Sequence, residues 1–100
     1  MARYNNRLVS IIIPAHNEER YIEKTLSHIK KQSYRNIEII VVDDGSIDNT
    51  TKKAKIYADK IIKLKKRKGV SYARNAGAKV ARGDLLVFLD ADTMLWDKML

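Results

Sequence analysis

Apolar runs of four to six residues recur along this chain, and helix-patterned segments separate them. Residues 8–13 read Leu-Val-Ser-Ile-Ile-Ile, residues 37–42 Ile-Glu-Ile-Ile-Val-Val and residues 85–89 Leu-Leu-Val-Phe-Leu, with a weaker Ile-Ile-Lys-Leu at 61–64. β-Branched runs without polar alternation are strands covered on both faces. Between them, Ile22, Leu26 and Ile29 fall on one helical face in 17–32, Ala54, Tyr57 and Ala58 in 49–58, and Ala73, Ala76, Gly77 and Val80 in 70–82. The order βαβαβαβ predicts an α/β fold: a Rossmann-like parallel sheet with right-handed crossovers and helices on both faces. In the doubly wound order 3-2-1-4, strands 1 and 4 are neighbours, and ligands bind in the crevice at their C-terminal ends.

The punctuation adds detail. Pro14 is expected to end the first strand, Asn17 to cap the first helix, and Glu18 and Glu19 to occupy its first turn. Asp48 is expected to cap the second helix, and Gly83-Asp84 to break the third. The small-residue stripe of that third helix predicts close packing on its neighbour, with Gly77 serving the packing. Residues 96–100 read as the opening of another helix.

The chain has 100 residues, enough for one domain with a core. It has no cysteine, which excludes disulfides, thiol nucleophiles and zinc–thiolate sites. Twenty Lys and Arg against twelve Asp and Glu leave a net charge of +8, which points to an anionic partner. Six of those cations lie at 60–68, read as a solvated basic loop or an attraction for anionic lipid or a diphosphate. Nucleic acid is not the expected partner, because aromatics do not interleave the run and no helix-turn-helix or RNA-binding signature is present. No apolar run approaches a membrane span and no secretory signal is visible, so a soluble, cytoplasmic chain is expected. A G-x-x-x-x-G-K-[ST] loop and a G-x-G-x-x-G turn are both missing, which excludes a P-loop enzyme and disfavours a dinucleotide fold.

Polar residues with chemistry follow strands 1, 2 and 4. Asp90-Ala91-Asp92 places two carboxylates on one side if the backbone stays extended, a hard-oxygen pair suited to Mg²⁺ or Mn²⁺ with a substrate's phosphates. The pair alone also fits turn-forming, helix-capping aspartates. Asp43 and Asp44 read either as an Asp-Gly turn or as acceptors for a nucleobase N–H or ribose hydroxyl. In Pro14-Ala-His-Asn-Glu18, His16 can stack on a base or stay exposed at a rim, and Glu18 can bind ribose or only favour a helix start. Arg74 reads as a phosphate or ribose contact or as a solvated helix arginine.

Taken together, these motifs resemble those of the family 2 glycosyltransferases, which have the GT-A fold. Val9-Ser-Ile-Ile-Ile-Pro-Ala-His-Asn-Glu-Glu19 is similar to the family's opening strand and loop, and Val41-Val-Asp-Asp-Gly-Ser-Ile-Asp-Asn-Thr50 to its second. Gly69-Val-Ser-Tyr-Ala-Arg-Asn-Ala-Gly77 and Gly83-Asp-Leu-Leu-Val-Phe-Leu-Asp-Ala-Asp92 are similar to the helix and strand before its D-x-D. The resemblance covers about residues 8–93. It implies a nucleotide-diphosphate sugar donor (a UDP- or GDP-sugar) with Mn²⁺ or Mg²⁺, and transfer to an acceptor hydroxyl. Carried over, Pro14, Ala15 and His16 line the base pocket, Glu18 approaches the nucleoside, and Asp44 bonds the base with Asp43 beside it. Arg74 lies near the nucleotide, Asp92 is the main metal ligand, and Asp90 contacts ribose or metal.

Family catalytic domains are roughly twice this length. The expectation is therefore a truncated GT-A domain over 1–100, its N-terminal half, with the acceptor site and general base beyond residue 100. The acceptor stays open between a glycan, a lipid phosphate and a protein. Dimerisation through the surface left by a missing half is a further expectation, as is attachment to the cytoplasmic membrane face if membrane segments lie downstream. Competing readings are a non-catalytic nucleotide-binding or assembly module, a sugar-phosphate nucleotidyltransferase, and a receiver-like domain.

Overall fold

A computed structural model describes residues 7–93. Four strands, β1 (Val9–Ala15), β2 (Ile37–Asp44), β3 (Lys60–Leu64) and β4 (Leu85–Phe88), alternate with three helices, α1 (Ile22–Lys30), α2 (Thr50–Ala54) and α3 (Val70–Val80). The sheet order is β3-β2-β1-β4 and every pairing is parallel, as the strand–helix alternation predicts.

Alternation along the central strands divides two cores. Ile11, Ile13, Ile39 and Val41 face Ile22, Leu26 and Ile29 of α1 and Ala54 of α2. Ile12, Ile40 and Val42 face Ala73 of α3, with Ala76 packed beside them. The helices therefore lie on both faces. A Cβ on Gly77 would stand 2.5 Å from Ile12 Cγ2 and 3.1 Å from Val42 Cγ2, so only glycine lets α3 sit this close to the sheet.

Several local expectations need correction. β1 does not stop at Pro14 but runs on to Ala15, which pairs with Asp43. The Leu89 N–H bonds Ile12 O at 3.1 Å, which fixes the parity of the ladder and turns Pro14's backbone toward β4. Its missing N–H ends the β1–β4 ladder there and costs nothing on the β2 side. Asn17 is not a helix cap. It takes the left-handed conformation, φ 53°, and α1 starts at Ile22, with Glu18 and Glu19 in the preceding loop. β4 is not a buried strand, because it forms one edge of the sheet. Leu86 and Phe88, on the α3 face, are both 43% exposed, since α3 covers β1 and β2 and leaves β4 open; Leu85, on the opposite face, is also exposed. Val80, expected to face inward, is also exposed. The expected helix at 96–100 lies outside the described residues. Among the described residues, no helix is long and apolar enough to cross a membrane.

Candidate functional site

Two loops leave the C-terminal ends of β1 and β2 and are laced together by side chains. The Asn17 N–H donates to Ser46 Oγ at 2.8 Å, and the Ile47 N–H donates back to Asn17 Oδ1 at 2.9 Å. The Glu18 N–H donates to Thr50 Oγ1 at 2.9 Å, and the Asn49 N–H to Glu19 Oε1 at 3.0 Å. This reciprocal pattern explains Asn17's conformation, since asparagine tolerates positive φ better than most residues and both of its amide functions are used.

His16 Nδ1 lies 2.7 Å from the main-chain oxygen of Asp44. That oxygen only accepts, so Nδ1 carries the proton, and Nε2 faces Asn17 Nδ2 at 3.3 Å. The imidazole is thereby held at the rim where the two strands end.

The paired aspartates that end β2 divide their work. Asp43 is fully buried. Its carboxylate accepts from the Ser46 N–H at 2.9 Å and from the Thr51 hydroxyl, and Lys63 Nζ stands 3.7 Å away. Those contacts close the turn and start α2. Asp44 reaches the other way, accepting from the Lys68 N–H at 2.6 Å and the Gly69 N–H at 3.0 Å. It thus fastens the basic loop over the end of β2. Gly45 lies directly beneath that loop with φ 70°, and a Cβ there would stand 2.4 Å from Arg67 N.

After β4 the chain does not stay extended. The Thr93 N–H bonds Asp90 O at 3.0 Å, closing a turn through Ala91 and Asp92. The Thr25 hydroxyl of α1 holds that turn by donating to Ala91 O at 2.7 Å, and it lies 3.1 Å from Thr93 O. Ala91 is buried while Asp90 and Asp92 are exposed. The turn delivers both carboxylates to the same side by a different route from the one expected.

One hollow of about 290 Å³ collects most of the candidates: Pro14, Ala15, His16, Glu18, Asp44, Asp90 and Asp92 all line it. Asp43 is not among them, lying inside the β2 turn, and neither is Arg74, whose guanidinium stands 4.0 Å from Asp90 at the rim. Arg67 and Val70 line the hollow without having been singled out. Arg67 sits in an unbroken basic run, and nothing in the sequence sets it apart from its neighbours. A larger groove along α3, lined by Ile62, Tyr72 and Val80, holds none of the candidates.

The floor of the hollow is acidic. Burial raises the Glu18 carboxyl above its ordinary range, and the negative charges of Asp92, Asp48 and Asp90 push it further, with His16 acting in the opposite direction. Among the described residues, no group of three or more His, Cys, Asp or Glu is arranged to hold a metal alone. Asp90 and Asp92 offer two exposed hard-oxygen donors, which fits a divalent cation that takes its remaining ligands from substrate phosphates and water.

A parallel α/β sheet with its polar loops gathered at the switch point between β1 and β4 defines a fold of the doubly wound class. The sequence model described as Glycosyl transferase family 2 matches residues 10–100, and the chain belongs to that family. It is 34% identical over 100 residues to the glycosyltransferase GlyG of Streptococcus pneumoniae serotype 4, covering 95% of this chain and 33% of that one. It is 44% identical over 88 residues to the Escherichia coli WfgD, a UDP-Glc:alpha-D-GlcNAc-diphosphoundecaprenol beta-1,3-glucosyltransferase, covering 85% of this chain and 35% of that one. The Pyrobaculum calidifontis mannosyltransferase PcManGT, solved with GDP-Man and Mn²⁺, superposes with a TM-score of 0.79 at 31% identity, over 84% of this chain and 27% of that one. Staphylococcus aureus TarS 1-349, solved with UDP-GlcNAc, gives 0.80 at 32% identity, over 84% of this chain and 26% of that one. The architecture is that of the GT-A glycosyltransferases, and the chain spans about a third of the length of the curated relatives it matches.

Proposed function

We propose that this chain binds the nucleoside diphosphate part of a sugar donor, and that the protein it serves transfers the sugar to an acceptor hydroxyl. The observation that carries this reading is the convergence of His16, Glu18, Asp44, Asp90 and Asp92 on one hollow at the switch point. Asp44 ends β2 and Asp90 follows β4; these strands flank β1, so their ends stand two inter-strand spacings apart, about 10 Å. That separation suits a nucleoside laid across the strand ends, with its base at β2 and its diphosphate at β4.

On this reading Pro14, Ala15 and His16 wall the base pocket, and the Asp44 carboxylate accepts from a base N–H with the lone pairs its two main-chain donors leave free. Asp43 acts through the turn that positions Asp44. Glu18 lies toward the ribose. Arg74 screens the charge of Asp90 and stands ready for the diphosphate. Asp92, with Asp90, would hold Mn²⁺ or Mg²⁺. When bound, such an ion neutralises charge on the departing diphosphate. The donor complexes of the neighbours, GDP-Man with Mn²⁺ and UDP-GlcNAc, support a nucleotide sugar as the ligand class. No described residue is assigned to the acceptor or to its deprotonation, so the chain by itself is expected to bind nucleotide without transferring sugar.

Calorimetric titration of UDP, GDP and their sugars, with and without Mn²⁺, tests the reading. Binding of one base series, strengthened by Mn²⁺ and weakened at least tenfold by Asp92→Ala, supports it. Binding indifferent to both metal and Asp92 removes the metal assignment.

A further inference from the structure

The proposed site takes only Arg67 from the chain's largest concentration of charge. Residues 52–68 contain nine lysines and arginines and a single acid, Asp59. Lys53, Lys60 and Lys63 are engaged inside the molecule, by the Glu19 carbonyl, by Glu38 and the Val80 carbonyl, and by Asp43. Lys68 stands 5.6 Å over the Tyr72 ring. Lys52, Lys55, Lys65 and Lys66 are exposed and, among the described residues, have no acidic partner. Asp59, the one acid of the stretch, is occupied by the Ile39 N–H at 2.7 Å.

The fold gathers these cations on one flank. β3 is the outer strand and pairs only with β2. α2 packs against β3, and the 65–68 loop lies on Gly45 just ahead of α2. Two isoleucines stand in water at either end of α2, Ile47 at 92% exposure and Ile56 at 66%. Lysines beside two bare isoleucines suit the boundary between lipid headgroups and acyl chains.

We propose that this flank, formed by α2, the β3 edge and the 65–68 loop, docks on an anionic phospholipid bilayer. The lysines neutralise headgroup phosphates while Ile47 and Ile56 enter the interface. Charge complementarity selects the partner. A cluster of this size beside exposed aliphatic side chains matches polybasic membrane contacts, whereas single-stranded RNA calls for aromatic platforms among its cations. Arg67 of the same loop lines the neighbouring hollow, so the bilayer contact is assigned to Lys65 and Lys66 of the loop, with α2 and the β3 edge. The proposal is independent of nucleotide binding.

Co-sedimentation of the full chain with vesicles tests it, using phosphatidylcholine alone and phosphatidylcholine mixed with phosphatidylglycerol. Binding is expected only to the mixed vesicles and is expected to fall steeply with added salt. Each cation contributes about fivefold, so Lys65→Glu with Lys66→Glu should weaken binding at least tenfold. Ile56→Asp should weaken it several-fold, and Lys30→Glu, at the end of α1, should leave it unchanged, with circular dichroism reporting that each variant is folded. No binding to the mixed vesicles, equal binding to both kinds, or tighter binding to a single-stranded RNA in the same buffer would overturn the proposal.

Discussion

The Nδ1–H of His16 donates to the main-chain oxygen of Asp44 at 2.7 Å, tying the loop after β1 to the end of β2. One bond thus sets the tautomer of the imidazole and the spacing of two walls of the hollow. His16→Ala removes a hydrogen bond worth about 1 kcal/mol. The melting temperature should fall by about 4–8 °C, as that energy implies for a domain this small. Nucleotide affinity should fall by about fivefold or more, because a base-stacking contact worth about 1–3 kcal/mol is lost. An unchanged affinity in a folded variant would take His16 out of the base pocket.

Asp44 holds the 65–69 loop through the N–H groups of Lys68 and Gly69. Asp44→Ala strands both donors, at about 1–3 kcal/mol for each one left unpaired away from water. Asp44→Asn keeps one oxygen and should lose less. Urea unfolding of the two variants gives the comparison, and equal midpoints would show that the loop does not depend on this carboxylate.

Gly77 carries α3 against Ile12 and Val42, with no room for a Cβ. Gly77→Ala improves helix propensity by about 1 kcal/mol yet overpacks the interface by about 1–3 kcal/mol. A net loss of stability is expected by thermal unfolding. A gain would mean that the sheet yields here.

Two carboxylates tie stability to pH. Burial works to raise Glu38, but the Ser10 hydroxyl, the Arg82 N–H and Lys60 outweigh it and hold the group below its ordinary range. Burial likewise opposes the hydroxyl and N–H of Thr50 and the N–H of Glu19 at Asp48, and again the hydrogen bonds win. A carboxylate lowered on folding stabilises the fold above its unfolded pKa, and that stability drains away as pH falls through the folded pKa. Denaturation midpoints should therefore fall progressively below about pH 4.5. Glu38→Gln should flatten part of that slope, and an unaltered slope in this variant would remove Glu38 from the account.

Glu18 has the opposite sign, being raised by burial and by Asp92, Asp48 and Asp90. A carboxyl raised on folding costs stability once pH exceeds its folded pKa and costs nothing below its unfolded one. Glu18→Gln should accordingly stabilise the chain at neutral pH and make no difference near pH 3. Equal effects at both values would show that Glu18 feels no such repulsion.

The strand order and both cores are legible in the sequence because runs such as residues 37–42 can only be covered on two faces, and the small stripe at Ala73, Ala76 and Gly77 announces a close helix. Cross-loop chemistry is not legible in this way. Asn17 carries an N-cap's composition, yet its partners Ser46 and Ile47 lie about thirty positions away and draw it into the left-handed region. Pro14 reads as a strand terminator because its effect depends on which side its missing N–H faces, and pairing alone decides that. Asp43 and Asp44 are adjacent in sequence but point to opposite faces of the strand, so only one reaches the hollow. Arg67 enters it because the N–H groups of Lys68 and Gly69, which follow it, donate to Asp44, a relation that no local pattern signals. The exposure of Leu86 and Phe88 depends on where α3 crosses the sheet, which strand composition does not encode.

Nucleoside diphosphate is proposed to lie across the ends of β1, β2 and β4. Amide chemical-shift mapping by nuclear magnetic resonance, with UDP or GDP added in the presence of Mg²⁺, tests it most directly. The largest shifts are expected at residues 15–18, 44–45, 67–70 and 90–93, with the β4-side changes lost in Asp92→Ala. Shifts confined to the α3 groove around Tyr72 and Val80, or no shifts with either nucleotide, would contradict it.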